Sequence, residues 1–154
     1  MAAPFLSWSW SRYSTFTTCP RQLWHQVAPK GHVDRVEFEP TPQIIEGREI
    51  DEALAARLGR KVSLPAKFQP YEPMCQLIDS APGSKHVQMQ LALDQTLKPC
   101  GYRDWDRAYV RVIYDLAIID RTHAFLWDFK NGKISVSTGQ NCLFSAVAFH
   151  TLPE

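Results

Sequence analysis

Two aspartates and one lysine in the C-terminal half of the chain have the residue types and spacing to bind a divalent cation. Asp115 lies in the run AYVRVIYDLAIID, and Asp128 and Lys130 lie in the run HAFLWDFK. Both runs are rich in β-branched and aromatic residues, which favours β-strands. Residues 120–123 separate the two runs as a tight turn, so the sequence predicts an antiparallel hairpin that carries both aspartates.

The register of this hairpin follows from pairing Asp120 with His123 across the turn. Counting back five residues on each strand places Asp115 opposite Asp128, and a slip of two residues would keep both on the same face. Like charges opposite one another destabilise a sheet, and apolar neighbours raise that cost. Lys130 on the same face neutralises part of the charge, so we expect a hard divalent cation of the Mg²⁺ type, which prefers oxygen ligands.

A cation at this position would polarise a phosphate and lower the pKa of a bound water molecule. Lys130 would orient that water or stabilise the charge that develops in the transition state. The pattern therefore predicts hydrolysis of a phosphodiester. The alternative is that Asp128 and Lys130 are rim residues at a strand end, since an isolated D-x-K triplet is a weak signal.

Helices are expected before the hairpin. The segment SWSRYSTFTTCPRQLWHQV predicts two short helices with aromatic inner faces, with Ser9 as a cap and Pro20 at the start of the second helix. The segment TPQIIEGREIDEALAARLGR predicts a longer helix with Thr41 as its cap and Pro42 at its first position. The apolar stripe of this longer helix consists of Ile50, Leu54 and Leu58.

The remaining segments complete a small mixed sheet. Prolines and a glycine between residues 61 and 85 predict a loop, a candidate flexible flap, with one short helix at residues 74–79. The run HVQMQLALD alternates as a first strand with one buried face, and GQNCLFSAVAFHTL predicts a final helix. We expect an α/β (α+β) fold with a central antiparallel hairpin flanked by helices. The predicted inner face of the final helix consists of Leu143, Ala146, Val147 and His150.

The composition is typical of one globular domain, and we expect a single domain over residues 1–154. Hydrophobic residues make up 45%, and 17 Lys and Arg residues balance 16 Asp and Glu residues, which excludes fibrous and disordered classes. No apolar run reaches the roughly 18 residues of a membrane span, and the N-terminus lacks the order of a secretory signal. We therefore expect a cytoplasmic protein with no membrane partner.

The cysteines and the basic residues carry weaker signals. The four cysteines include no CxxC pair, so we expect free thiols, mostly buried. The histidines show no paired ligand spacing, so no zinc is predicted. Near-neutral net charge argues against a protein that simply coats a polyanion, although a local basic groove stays open beside the default of a solvated surface. That groove would consist of Arg12, Arg21, Arg48, Arg57, Arg60, Lys61, Arg103, Arg107 and Arg111.

The order of these segments resembles the RecB-like branch of the PD-(D/E)XK nuclease superfamily, especially its small bacteriophage members. The resemblance runs from about residue 7 to residue 152, and the block from DLAIID to DFKNGK is its most specific part. It implies a restriction-endonuclease-like core, binding of Mg²⁺ or Mn²⁺, and cleavage of single- or double-stranded DNA.

The resemblance implies a role for each residue of the hairpin motif. Asp115 corresponds to the first metal-binding aspartate, Asp128 to the second acid and Lys130 to the catalytic lysine. The backbone carbonyl of Phe129 would be a further metal ligand. A turn often follows this motif in the family, and it corresponds here to Asn131, Gly132 and Lys133.

Four further positions correspond to family motifs, and three of them depart from the family residue. Gln140 begins the Gln-led helix that faces nucleic acid and positions the catalytic lysine, and Phe144 replaces its tyrosine. Gln88 stands where the family has an early acidic ligand. Asp51 stands where the family has a histidine, and its carboxylate suits Mg²⁺ or Mn²⁺ at least as well as imidazole does.

The resemblance also bears on cofactors and partners. Cys19 followed by Pro20 resembles the first cysteine of iron–sulfur relatives, but their C-terminal cysteine cluster is absent, so no iron–sulfur cluster is expected. The chain ends just after the Gln140 helix, where relatives continue with more sheet. We therefore expect a C-terminally shortened core that a homo-oligomer or a host protein could complete.

Three readings remain open from the sequence. The leading one is a phage-encoded, exonuclease-like DNA nuclease. The second is a degenerate nuclease fold that binds DNA or a host defence protein without cutting, which the departures at Gln88 and Phe144 favour. The third is a structural α/β domain whose large aromatic residues form the core, namely Trp10, Tyr13, Trp24, Trp105 and Trp127.

Overall fold

The described part of the chain combines helices with one four-stranded sheet, as an α+β fold requires. A computed structural model describes residues 6–29, 31–32, 39–130 and 138–152. The helices are α1 (Trp10–Thr18), α2 (Pro20–Val27), α3 (Pro42–Arg60), α4 (Glu72–Ser80) and α5 (Thr138–Thr151), with a 3₁₀ helix at Ala66–Tyr71. The strands are β1 (Ser84–Leu93), β2 (Pro99–Cys100), β3 (Val110–Ile119) and β4 (Ala124–Trp127). Of these strands, only the short β2 was not predicted.

The predicted hairpin and its register are confirmed. The sheet has the order β2-β1-β3-β4, and β3 pairs antiparallel with β4 from Leu116 opposite Trp127 to Ile119 opposite Ala124. The backbone N–H of Asp120 donates to the His123 carbonyl at 2.9 Å, which is the pairing that set the predicted register.

The Asp120 side chain explains how an unfavourable turn sequence is accommodated. Arg121 and Thr122 are not a favoured two-residue hairpin loop. However, the carboxylate of Asp120 accepts hydrogen bonds from the backbone N–H groups of Thr122 at 2.7 Å and His123 at 2.8 Å. These bonds satisfy turn amides that would otherwise rely on water, as Asp side chains commonly do at turns.

The chain forms two compact units. Unit 1 draws on Met1–Phe38, Gln90–Val112 and Val136–Glu154, and unit 2 draws on Glu39–Met89 and Ile113–Ser135. Strands β1 and β3 therefore contribute residues to both units. β1 also pairs antiparallel with β2, and a single parallel bridge joins Trp8 to Val110 within unit 1.

The core of unit 2 contains the predicted stripe of α3. Ile50, Leu54 and Leu58 are all buried, and Pro42 occupies the first turn of the helix as expected. Thr41 stands at the cap position, but its side chain makes no capping hydrogen bond. The other buried members of this core are Leu64, Phe68, Cys75, Ile78, Leu116 and Ile118.

The predicted short helix at residues 74–79 is confirmed as α4, but the expectation that residues 61–85 form a flexible flap is wrong. Apolar residues of the 3₁₀ helix and α4, including Phe68 and Ile78, lie in the core of unit 2. Arg57 of α3 also binds α4 through ion pairs with Glu72 at 2.6 Å and Asp79 at 2.9 Å. The prolines shape short helical turns here, and the apolar residues between them anchor the segment.

Helices α1 and α2 begin where the sequence predicts. The hydroxyl of Ser9 accepts a hydrogen bond from the Arg12 backbone N–H, and Pro20 opens α2. The predicted aromatic inner faces are wrong, because Tyr13, Phe16 and Trp24 are exposed.

The expectation that the large aromatic residues form the core also fails for Trp105, which is exposed, while Trp10 and Trp127 are half-buried. Aromatic rings pair locally instead, with ring centres of Trp10 and Tyr13 at 5.6 Å. Such a pair shields each ring from water without needing a core position.

The final helix and the cysteines are only partly as predicted. On α5, Val147 is buried, whereas Ala146 and His150 of its predicted inner face are exposed. All four cysteines are free thiols as expected. They are not mostly buried: Cys75 is buried, and Cys142 is exposed. No helix among the described residues is long and apolar enough to cross a membrane.

Gly83 is expected to tolerate no side chain. Its φ is +106°, and an added Cβ would lie 2.7 Å from the Ile119 carbonyl oxygen. Gly83→Ala should therefore lower the free energy of unfolding by about 1–3 kcal/mol in a denaturant titration. The matched control is Gly59→Ala on α3, where Val87 would be at an ordinary 3.6 Å and helix propensity should raise stability by up to about 1 kcal/mol. Equal stability of the two variants would contradict this assignment of strain.

Candidate active site

Asp115 and Asp128 face each other near one end of the β3–β4 hairpin. The register from Leu116 opposite Trp127, continued by one residue, places Asp128 opposite Asp115. Strand β4 ends at Trp127, so Asp128 lies just beyond the last paired residue. The hairpin thus positions both carboxylates, while Asp128 also has the rim location that the alternative reading predicted.

Lys130 contacts the second of these carboxylates. Its Nζ lies 2.5 Å from Asp128 Oδ2, and roughly half of the lysine side chain and a third of the aspartate side chain remain exposed. Residues two apart in extended backbone project to the same side, and the ion pair confirms that placement. A pair this exposed contributes little to stability.

Asp115 is the most constrained carboxylate of the set. Its Oδ2 accepts a hydrogen bond from the Phe129 backbone N–H at 2.7 Å, and its Oδ1 accepts one from the Gln88 side-chain amide at 3.5 Å. Burial raises the pKa of Asp115, and the charge of Asp128 raises it further, while the Phe129 N–H and Lys130 act in the opposite direction. The raised pKa shows that burial and repulsion outweigh these stabilising contacts.

Asp51 belongs to the same electrostatic environment although it comes from a distant part of the chain. It follows the buried Ile50 on α3, within unit 2. Partial burial raises the pKa of Asp51, followed by the charges of Asp115 and Asp128, and Lys130 lowers it. Three carboxylates from α3 and the hairpin therefore interact in one unit, with Lys130 offsetting part of their charge.

Gln88 has a backbone conformation that the sequence did not indicate. It lies within β1 with φ of +53°, in the left-handed region. Few residues other than glycine adopt this region, and such strain tends to occur at functional sites. The conformation accompanies the contact of the Gln88 amide with Asp115. In that contact Gln88 acts as a donor to the carboxylate, a different role from the metal ligand that its position implied.

Phe129 and Gln140 are the remaining predicted site residues. Phe129 contacts Asp115 through its N–H, whereas the sequence predicted a role for its carbonyl. Gln140 lies on α5 in unit 1, half-buried like Phe144. Asn131, Gly132 and Lys133 lie outside the described residues.

The carboxylates are arranged more loosely than in a preformed metal centre. Within residues 6–29, 31–32, 39–130 and 138–152, no three His, Cys, Asp or Glu side chains are close enough together to hold one metal ion. Asp51, Asp115 and Asp128 influence one another electrostatically, so they would have to close on an ion to bind it jointly. The donor set fits a hard cation chemistry, since carboxylate and carbonyl oxygens are the ligands that Mg²⁺ and Mn²⁺ prefer.

No protein-family model, curated protein or solved structure matches this chain.

The raised pKa of Asp115 predicts how metal-free stability depends on pH. A carboxyl group whose folded pKa exceeds its unfolded value of 3.8 binds more protons when folded, so stability falls as pH rises between the two values. Asp115→Asn removes this penalty and keeps an oxygen that can accept the Phe129 N–H. We expect the variant to be more stable than the wild type at neutral pH in EDTA, with the gain shrinking as pH falls toward 3.8.

Asp120→Asn is the control with the opposite sign. Backbone N–H groups of Thr122 and His123 lower the pKa of Asp120, so its contribution to stability is present at neutral pH and is lost as pH falls through that lowered pKa. Thermal unfolding of both variants from acidic to neutral pH measures the two trends. Parallel pH profiles for the two variants would contradict the assigned burial of Asp115.

Proposed function

We propose that this protein is a Mg²⁺- or Mn²⁺-dependent DNA nuclease that hydrolyses phosphodiester bonds, with a restriction-endonuclease-like core and an exonuclease-like, phage-encoded role in the host cytoplasm. The observation that carries the proposal is the set of Asp51, Asp115 and Asp128 in one unit beside Lys130. Burial and mutual repulsion raise the pKa values of Asp51 and Asp115. A carboxylate group of this kind gains from a divalent cation.

Each residue has a distinct role in the proposed site. Asp115 and Asp128 would hold the ion with the Phe129 carbonyl, and Asp51 would supply a further carboxylate. The bound ion would provide Lewis-acid activation of the phosphate and acidify a water molecule. The hydrogen bond from the Phe129 N–H to Asp115 Oδ2 at 2.7 Å fixes the orientation of that carboxylate. Lys130 would donate to the phosphate or to the attacking water.

A cleavage assay tests the proposal directly. Labelled single-stranded and double-stranded DNA are incubated with the purified chain in Mn²⁺, in Mg²⁺ and in EDTA, and the products are separated on a gel. We expect cleavage with either metal ion and none in EDTA. Absence of cleavage of both substrates in both metal ions would refute the proposed activity.

The second candidate is a nuclease-like fold that binds DNA or a host protein without cutting. The neutral Gln88, which donates to Asp115 at 3.5 Å, favours this candidate because it occupies the position where an acid would complete a ligand set. Among the described residues, no three carboxylates are close enough together to hold one metal ion, which favours this candidate as well. In this candidate function, the chain would bind a host protein or a second copy of itself.

Gln88→Glu separates the two candidates. In a metal-dependent nuclease, an anionic oxygen near Asp115 should tighten Mg²⁺ binding and raise cleavage several-fold, since a hard cation gains more from a carboxylate than from an amide. In a binding protein that takes no metal, an extra acid there would lower the melting temperature and weaken DNA binding by repelling phosphate.

The measurement pairs melting temperature, with and without Mg²⁺, with the cleavage rate. Gln90→Glu is the matched control, because Gln90 is exposed on the same strand two residues further on. A Gln88→Glu variant that is less stable, gains nothing from Mg²⁺ and does not cut would reject the nuclease and support the binding protein.

A further inference from the structure

A buried arginine in unit 1 has no hydrogen-bond partner for one edge of its guanidinium group. Arg111 is 6% exposed, and within the described part of the chain its Nε and Nη2 atoms have no partner. Ser7 is 5% exposed, and its hydroxyl likewise has no partner there. Buried polar groups are nearly always hydrogen-bonded, and a buried charge needs compensation most of all. Both groups belong to unit 1 and lack the hydrogen bonds that burial normally requires.

Backbone pairing directs these two side chains to the same face. The Trp8 N–H donates to the Tyr109 carbonyl at 2.6 Å, and the Arg111 N–H donates to the Trp8 carbonyl at 2.8 Å. Trp8 therefore pairs with Val110 in a parallel bridge. Because side chains alternate along extended backbone, Ser7 and Arg111 both project to the face opposite Trp8 and Val110.

The guanidinium of Arg12 belongs to the same electrostatic environment as that of Arg111. Arg12 Nη1 donates to the Ser7 carbonyl at 2.5 Å. Burial lowers the pKa of Arg111, and the positive charge of Arg12 lowers it further. The groups that oppose this effect are Tyr102, Cys100 and Asp104. The balance leaves Arg111 short of negative charge.

Aromatic rings cover the face of the Arg111 guanidinium but cannot satisfy its edge. The guanidinium carbon lies 3.6 Å from the ring centre of Trp105 and 5.7 Å from that of Tyr102. These cation–π contacts offset part of the buried charge, while the N–H groups at the edge still need acceptors.

In Arg57, the Nε and Nη2 edge of the guanidinium group binds a carboxylate. Its Nε and Nη2 atoms bind the Glu72 carboxylate at 3.0 and 2.6 Å. Two parallel N–H groups match two oxygens of a carboxylate or a phosphate. The edge of Arg111 that lacks partners consists of the corresponding two atoms.

We propose that Ser7, Arg12 and Arg111, here called the arginine cluster, bind a phosphate-class oxyanion. The Nε and Nη2 atoms of Arg111 take two oxygens, the Ser7 hydroxyl takes a third, and Arg12 supplies additional positive charge. Two guanidinium groups and a hydroxyl suit the charge and the three oxygens of a phosphate better than they suit a carboxylate. Trp105, which is 64% exposed, would have to shift for the anion to reach the shielded edge. The site shares no residue with the proposed active site.

Titration with inorganic phosphate, followed by phosphorus NMR and calorimetry in EDTA, tests the arginine cluster. We expect stoichiometric saturable binding by the wild type. Arg111→Lys should weaken it at least tenfold, because lysine keeps the charge but lacks the two-donor edge, and Ser7→Ala should weaken it several-fold. Arg103→Lys, an exposed residue of the same unit, is the matched control and should bind as the wild type does.

Further arms identify the source of the oxyanion. Tighter binding of dAMP than of inorganic phosphate, with the preference removed by Trp105→Ala, assigns a nucleotide-borne phosphate; equal binding assigns the free oxyanion. No saturable binding by the wild type, or equal binding by Arg111→Lys and Arg103→Lys, overturns the proposal. If Arg111→Lys fails to fold, undiminished binding by Ser7→Ala overturns it as well. Because every titration is in EDTA, its result does not depend on whether the protein cuts DNA.

Discussion

Asp128→Asn is expected to abolish divalent-cation binding and DNA cleavage while leaving the protein folded, and Asp115→Asn is expected to do the same. Each change removes one negative charge from the site that we propose binds the cation. We expect cleavage to fall at least about 100-fold, which corresponds to about 2.7 kcal/mol in the activation barrier. The fold should survive because Asp128 is exposed and because an asparagine oxygen at position 115 can still accept the Phe129 N–H.

Calorimetric titration with Mn²⁺ and the gel assay measure these two effects together. Asp106→Asn, an exposed aspartate of unit 1, is the control for loss of one negative charge and should keep both metal affinity and activity. The melting temperature of each variant shows whether it has lost metal binding while still folded or has lost metal binding because it is unfolded. If both variants bind Mn²⁺ as tightly as the control, the ion is held elsewhere and the site is misassigned.

Lys130→Ala is expected to eliminate cleavage but to leave metal affinity similar or higher. The ammonium group lies 2.5 Å from Asp128 and lowers the pKa values of both Asp51 and Asp115. Removing it takes a positive charge away from the proposed cation site, so repulsion of the cation should fall. In the proposed mechanism the variant lacks a donor aimed at the developing charge of the transition state, and a loss of about 100- to 1,000-fold in rate is usual for such a change.

Lys67→Ala is the matched control for this change. Lys67 forms an ion pair with Glu49 within unit 2, and more than half of its side chain is exposed, as for Lys130. Both substitutions therefore delete an exposed lysine from a surface ion pair, and neither should alter stability much. A cleavage rate in Lys130→Ala equal to that of Lys67→Ala would mean that Lys130 is an ordinary surface residue.

The hairpin register could be predicted because its determinants are local. Asp120 and His123 are three residues apart, and a slip of one residue would turn every side chain of a strand to the other face. The observed pairs continue that register up to Leu116 and Trp127. The relation between Asp115 and Asp128 follows from this register, so the central pair of the candidate site was within reach of the sequence. The stripe of α3 was predictable for the same reason, since helical periodicity repeats within a few residues.

The surroundings of that pair depended on contacts between distant segments. Asp51 precedes Asp115 by more than sixty residues, and only the packing of α3 in unit 2 brings it into their electrostatic environment. The left-handed backbone of Gln88 has no sequence signal, because glutamine rarely adopts that conformation and nothing nearby demands it. The Gln88 amide donates a hydrogen bond to Asp115 across the sheet. In this contact Gln88 acts as a hydrogen-bond donor and not as a metal ligand.

Burial was the property that the sequence determined least. Residue type alone favoured buried aromatics, a flexible flap and a solvated Arg111, whereas Trp24 and Trp105 are exposed and Phe68 and Arg111 are buried. Periodicity specifies which side chains share a face, and the sequence determined that for α3 and the hairpin. Which faces become buried depends on how segments far apart in the chain pack together. Only the tertiary structure determines this, because the free energy of burial comes from the surface that those segments remove from water.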